Sequence, residues 1–346
     1  MNPLMWSIFI TSLSTSTIIT MSSHHWMLAW LGLEINTLSM LPLIMKPKHP
    51  RAAEATTKYF ITQTTAAAMI LFASTLNAWQ TGHWTIIHTN YTPTTAVLIV
   101  ALMLKLGLAP THFWYPEVLQ GVTLNTAMII STWQKIAPLT LLLLTMNHLP
   151  PHIITSLGLL SIMLGGWMGL NQTQTRKIMA FSSIAHMGWL TITLTMSPHL
   201  TTLTLLVYMT MTIAMFSTLN TTTAKTLKDL GNSLTPSPML MVMTMITLMS
   251  LGGLPPLTGF MPKLLILKTL TTMELTTLSI TIALASLPSL YFYIRMTYLM
   301  VLTTPPTTTT TKHKWRLTQR PPKTTAPMIL LSTALLPMMS TLYNTL

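Results

Sequence analysis

Apolar residues do not alternate with polar ones along this chain. They come in runs of about twenty, separated by short polar or basic stretches. A helix rises about 1.5 Å per residue, so roughly 20 apolar residues cross the ~30 Å hydrocarbon core of a bilayer. Eleven such runs predict eleven spanning helices: 3–23, 25–45, 59–79, 95–118, 123–145, 150–170, 178–196, 199–220, 237–270, 275–301 and 325–345. The predicted fold class is an all-α membrane protein.

Two runs should not be continuous helices. The fourth passes through Gly107, Pro110, Pro116 and Glu117, and the ninth through Gly253, Pro255, Pro256, Pro262 and Lys263. Proline removes a backbone donor and clashes with the preceding turn, and glycine weakens that turn. Gly107, Pro110, Pro116 and Glu117 align with Gly253, Pro256, Pro262 and Lys263 at one offset of 146 residues. The ninth span lies five after the fourth, and an odd shift inverts orientation. Spans one to five and six to ten therefore read as inverted repeats, each with a broken helix near 107–116 or 252–262. The expected domains are 1–148, 149–302, a Thr/Pro-rich basic loop at 303–324, and a last helix at 325–346. Broken helices at matching positions of inverted repeats point to a transport site. Unpaired backbone at that depth is tolerated only within protein or beside a wet cavity.

Composition agrees. Half of the 346 residues are hydrophobic, 7% are charged and mean hydropathy is +0.56, against about 25% charged in a soluble domain. The absence of cysteine excludes iron–sulfur ligation and disulfides. No strand leads into a Gly-rich phosphate loop, and no nucleotide, flavin or metal site is expected. Gly165 and Gly169 suit close helix packing. The start Met1-Asn2-Pro3 shows neither a transit peptide nor a cleavable signal, so the first span is expected to be kept. The sequon Asn90-Tyr91-Thr92 reads as chance.

The net charge of +13 is scattered over loops rather than gathered into a nucleic-acid-binding domain. Lys46, Lys48, Arg51 and Lys58 follow span two, Arg176 and Lys177 span six, and Lys225 and Lys228 span eight. Lys312, Lys314, Arg316, Arg320 and Lys323 follow span ten. Loops after odd spans, such as 80–94, 146–149 and 197–198, carry no Lys or Arg. This parity places the N-terminus on the positive side and the C-terminus opposite.

Among the charges inside predicted spans, four are singled out: Glu34, Lys105, Lys135 and Lys263. Each costs at least about 2.5–3.5 kcal/mol at mid-bilayer, so such groups mark ion or proton pathways by default. A static Glu34–Lys105 pair that only joins helices is the structural alternative, as is snorkelling of Lys105 or Lys135. His186 is a mid-span imidazole, either a relay or a hydrogen-bonded structural residue. His112 follows the first break as a relay or a donor to free backbone. Glu117 lies nearer a span end than Lys263 and ranks below it.

Several segments carry a resemblance. They are Leu104-Lys105 through Pro110-Thr111-His112-Phe113-Trp114-Tyr115-Pro116-Glu117, then Lys135, then Arg176-Lys177-Ile178-Met179-Ala180-Phe181-Ser182-Ser183-Ile184-Ala185-His186-Met187-Gly188, and then Gly252-Gly253-Leu254-Pro255-Pro256-Leu257-Thr258-Gly259-Phe260. In order and spacing this series resembles the antiporter-like proton-pumping subunits of respiratory complex I, over nearly the whole chain. Thirty methionines and many threonines are similar to vertebrate mitochondrial coding bias. The family's usual core has fourteen spans, and this chain begins within what would be the fourth.

The resemblance implies that the positive side is the mitochondrial matrix and the membrane the inner one. It makes Glu34 and Lys105 an interacting pair, Lys135 a central lysine, His186 a relay and Lys263 the charge on the second broken helix. It also implies that NAD, FMN, iron–sulfur clusters and ubiquinone belong to other subunits. The expected partners are other membrane-arm subunits and lipid, with cardiolipin the candidate at the basic side. The expected function is proton translocation through this Glu/Lys/His relay. The rival readings are a non-conducting scaffold subunit and a stand-alone cation/proton antiporter.

Overall fold

A computed structural model describes residues 3–87, 89, 92–232, 238–302 and 324–345. Asn90 and Tyr91 of the sequon and the basic stretch 303–323 lie outside these residues. The described chain is helical, with two isolated β-bridges, His25–Thr85 and Gln174–Thr226. It forms two compact units, Met1–Ser161 and Ile162–Leu346.

In the first unit, α1 (Pro3–Ser22), α2 (Trp26–Ile44) and α3 (Pro50–Thr81) pack in sequence. Helix α3 starts with Pro50 at its first turn, where the missing N–H costs nothing, behind a His49 cap. Lys58 therefore lies within a helix rather than in the loop that the hydropathy edge at 59 predicts. At 32 residues, α3 is about 48 Å long, enough to carry its basic first turns beyond a bilayer core.

The fourth run is split into α4 (Thr92–Leu106) and α5 (Trp114–Gly121). The fifth is also split, which its pattern did not predict. Helix α6 (Leu124–Ser131) gives way to a 3-10 turn, Trp133–Lys135, before α7 (Ile136–Thr145). The cause is Pro138. Its ring excludes a helical contact with the carbonyl four residues back, at Gln134.

Helix α8 (Pro151–Leu170) runs from the first unit into the second. There follow α9 (Thr175–Leu194), α10 (Pro198–Thr222) and a short α11 (Leu227–Asn232). The ninth run is split into α12 (Pro238–Gly252) and α13 (Phe260–Thr272). The tenth forms α14 (Thr276–Ala285) and α15 (Leu287–Leu302). After residue 323 come α16 (Thr325–Ala334) and α17 (Met339–Thr345). Helix α10 is central to this unit, packing on α9, α12, α13 and α16. A Cβ at Gly165 would meet Phe181 O at 2.9 Å and Ala185 N at 2.8 Å, and one at Gly169 would meet Phe292 at 2.9 Å. The glycines of α8 thus serve close packing.

Among the described residues, seven helices are long and apolar enough to cross a membrane, or eight if the bent pair Thr325–Ala334 and Leu336–Tyr343 is one span. The other three predicted runs fall short for physical reasons. The fourth and ninth are cut by breaks. Helix α9 starts with Arg176 and Lys177 and turns its Ser and Thr side chains inward. From Ile178 to Leu194 every residue is buried except His186, which is partly exposed.

Candidate functional site

The two breaks share one hydrogen-bond pattern. Gly107 and Gly253 both adopt left-handed φ, +70° and +81°, which glycine accepts without a Cβ clash. At the first break Gly107 N donates to Leu104 O (3.3 Å) and Leu108 N to Met103 O (3.0 Å). At the second, Gly253 N donates to Ser250 O (3.0 Å) and Leu254 N to Met249 O (3.4 Å). Each set closes a helix with a Schellman motif. Beyond the breaks, Tyr115 N donates to His112 O (3.1 Å) and Met261 N to Thr258 O (3.3 Å). All of these pairs correspond at the offset of 146 residues.

What covers the broken ends differs. At the first, Trp114 Nε1 donates to Leu104 O at 3.1 Å. At the second, Lys263 Nζ donates to Gly252 O at 2.8 Å. The lysine thus lies at the negative end of the α12 dipole, where a cation is favoured.

Lys105 and Lys135 are buried, 6% and 3% exposed. Both line one small cavity of about 10 Å³, together with Tyr59, Gln63, Tyr115 and Gln134. That is room for about one water. The Lys135 ammonium sits 4.9 Å from the centre of the Tyr115 ring, a cation–π contact. Lys135 reaches this place because the 3-10 turn ahead of Pro138 swings it out of helical register. Neither lysine snorkels.

Glu34 does not form a static ion pair with Lys105. Its buried Oε2 and the Lys105 Nζ both lack a hydrogen-bond partner, yet the carboxylate lies close enough to act on Lys105 through Coulombic attraction. Two residues further along α2, the buried Asn36 accepts a hydrogen bond from Gln134 Nε2 at 2.8 Å. This ties the Glu34 helix to the turn that carries Lys135.

In the second unit His186 Nε2 lies 3.4 Å from the Tyr293 hydroxyl, and the Tyr208 ring stands 5.7 Å away. His186, Thr204, Tyr208, Pro262 and Lys263 share the wall of a cavity of about 20 Å³. Lys263 also borders a larger cleft of about 550 Å³, with Trp189, Phe260, Lys268 and Ser286. Lys263 therefore borders both the small cavity lined by the imidazole and the wide one.

Two residues fall outside these groups. Glu117 is on the surface, where its Oε2 pairs with Lys58 Nζ at 2.6 Å, and Lys58 also pairs with Glu54. His112 is buried, stacks on Phe113 and hydrogen-bonds the backbone of Pro110. Sequence reasoning missed Tyr115, Gln134, Asn36 and Tyr293, whose partners lie on other helices. It also passed over Arg295, a basic residue inside an apolar run. No group of three or more metal-ligating side chains occurs among the described residues.

Comparison with known proteins gives these features a family. Residues 23–288 match the family model of the NADH:quinone oxidoreductase/Mrp antiporter transmembrane proteins, and residues 290–343 match that of the NADH dehydrogenase subunit 2 C-terminus. NADH-ubiquinone oxidoreductase chain 2 of Aquarana catesbeiana is 51% identical over 342 residues, covering 99% of each chain. Its counterpart in Carassius auratus is 52% identical over 316 residues, 91% of each. Among solved structures, a chain of respiratory complex I from Thermus thermophilus superposes with a TM-score of 0.87 at 24% identity, covering 99% of this chain and 80% of its own. A chain of the Mrp complex from Dietzia sp. reaches 0.78 at 15% identity, covering 86% and 61%. These two share the fold. With half of all positions identical over nearly its full length, the chain belongs to the family of NADH-ubiquinone oxidoreductase chain 2, within the antiporter-like membrane proteins.

Proposed function

We propose that the chain is a proton-translocating subunit of the membrane arm of NADH:ubiquinone oxidoreductase in the mitochondrial inner membrane. Electron transfer takes place elsewhere in the enzyme, and NAD, FMN, iron–sulfur clusters and ubiquinone bind other subunits. One observation carries the proposal: two buried lysines, Lys105 and Lys135, line the same water-sized cavity. Keeping an ammonium in a low-dielectric interior is costly. A lysine that can release its proton to a neighbour escapes that cost.

The relay has two halves. In the first unit, a change of charge at Glu34 alters the proton affinity of Lys105, which exchanges its proton with Lys135 through their common cavity. In the second, His186 receives the proton and hands it to Lys263, which faces the wide cleft. Moving one charge against the membrane potential costs about 2.3 kcal/mol per 100 mV, within reach of reorganising one buried pair.

Eleven spans, as two five-helix inverted repeats (1–148 and 149–302) and a final helix (325–346), account for the paired breaks. The matching hydrogen bonds at the 146-residue offset support this reading. The charge parity of the loops supports an N-terminus in the matrix and a C-terminus in the intermembrane space. Other membrane-arm subunits and lipid, cardiolipin among them, complete the surroundings.

The test is Lys135→Met in the assembled complex, reconstituted into liposomes. Assembly and NADH oxidation by uncoupled vesicles should persist while proton uptake falls. Unchanged proton uptake would favour a scaffold instead.

A further inference from the structure

Arg295 lies inside an apolar helix, and the relay does not use it. It lies in α15, seven residues before Leu302, hence about 10 Å from the helix end. Its guanidinium donates from Nη1 to Leu170 O, the last residue of α8. That bond fixes its depth at the level of the α8 terminus, next to the loop that leads to Arg176 and Lys177. This is the interface depth on the basic side.

The guanidinium has five N–H donors, and the Leu170 carbonyl takes one of them. No carboxylate serves the rest. The chain has five acidic residues, and the ion pairs among the described residues all involve Lys58. Instead Arg295 borders a cleft of about 540 Å³, whose other walls are Leu170, Asn171, Leu287, Pro288 and Tyr291. Arg295 and the exposed Asn171 make its polar end. Leu287, Pro288 and Tyr291 continue along α15 toward the bilayer centre for about 12 Å, with Leu287 55% and Tyr291 59% exposed.

We propose that this cleft between α8 and α15 binds an anionic phospholipid, its phosphate on Arg295 and Asn171 and an acyl chain along Leu287, Pro288 and Tyr291. An uncompensated planar donor at interface depth matches a phosphate, and the apolar strip below it matches a chain rather than a free anion. The guanidinium screens the phosphate from the α8 carbonyl end, which would otherwise repel it.

The experiment uses the intact complex in nanodiscs with photoactivatable phosphatidylglycerol or, separately, photoactivatable phosphatidylcholine. In the wild type, phosphatidylglycerol should label peptides containing Asn171 and Tyr291 about five-fold more than phosphatidylcholine, the preference expected for one basic contact. Arg295→Gln should abolish the preference and Arg295→Lys should retain part of it. Arg295 also caps α8, so the wild-type comparison of the two lipids stands even if Arg295→Gln fails to assemble. Equal labelling by both lipids would overturn the proposal. So would the absence of any lipid adduct on these peptides in the wild type.

Discussion

The Lys263 ammonium caps the carbonyl of Gly252 at 2.8 Å, joining the charged residue of α13 to the broken end of α12. One side chain therefore closes the helix break and borders both cavities. Lys263→Met should remove a charged hydrogen bond worth about 1.5–3 kcal/mol and lower proton translocation together. Thermal unfolding of the complex and proton uptake by liposomes measure the two effects. Lys263→Arg should recover more of the stability than of the translocation.

The two left-handed glycines make an internal comparison. Alanine at either position costs about 1–2 kcal/mol for the backbone alone. At Gly253 the added Cβ would also meet Lys263 Nζ at 2.9 Å, whereas at Gly107 it meets the Tyr115 Cβ at 3.3 Å. Gly253→Ala should therefore depress proton uptake more than Gly107→Ala at similar assembly. Equal effects would mean that Lys263 need not sit where it does.

Gln134 and Asn36 stand 98 residues apart in the chain and are bonded in the fold. Gln134→Met would strand a buried carbonyl oxygen on Asn36, at a cost of about 1–3 kcal/mol. A lower unfolding temperature is expected, with a wild-type value partly restored by the double change with Asn36→Leu.

Outside the membrane, Asp229 closes the first turn of α11. Its Oδ2 accepts from Thr226 N (2.9 Å) and Lys225 N (3.2 Å), and its N–H meets Thr226 Oγ1, a capping box. The Thr226 backbone bond is the main cause that holds its carboxyl below the usual aspartate range. A depressed folded value stabilises above the unfolded one, near 3.9, and that stabilisation is lost as pH falls through the folded value. Hydrogen exchange at the α11 amides should thus accelerate below about pH 4 beyond the intrinsic trend. Asp229→Asn should remove the pH dependence.

How much of this could be read from the sequence depends on whether a feature is local. The breaks at Gly107 and Gly253 were legible because glycine and proline act on their own turn, and because the offset of 146 residues repeats them. The turn at Lys135 was equally local, since Pro138 lies three residues on, but the unbroken apolar run concealed it. Lys58 was misplaced by a helix that starts at Pro50, ahead of its apolar part. Contacts such as Tyr115 under Lys135 or Tyr293 beside His186 join distant helices, and no periodicity encodes them. Glu34 and Lys105 were legible as neighbours; that they act on each other without touching was not.

The central claim is that the buried lysines carry protons, and it is tested most directly by counting protons per two electrons in liposomes. Lys105→Met should leave an assembled complex with a lower ratio than wild type, while Glu117→Gln, which alters only the surface pair with Lys58, keeps the wild-type ratio. An assembled Lys105→Met complex with an unchanged ratio would contradict the account.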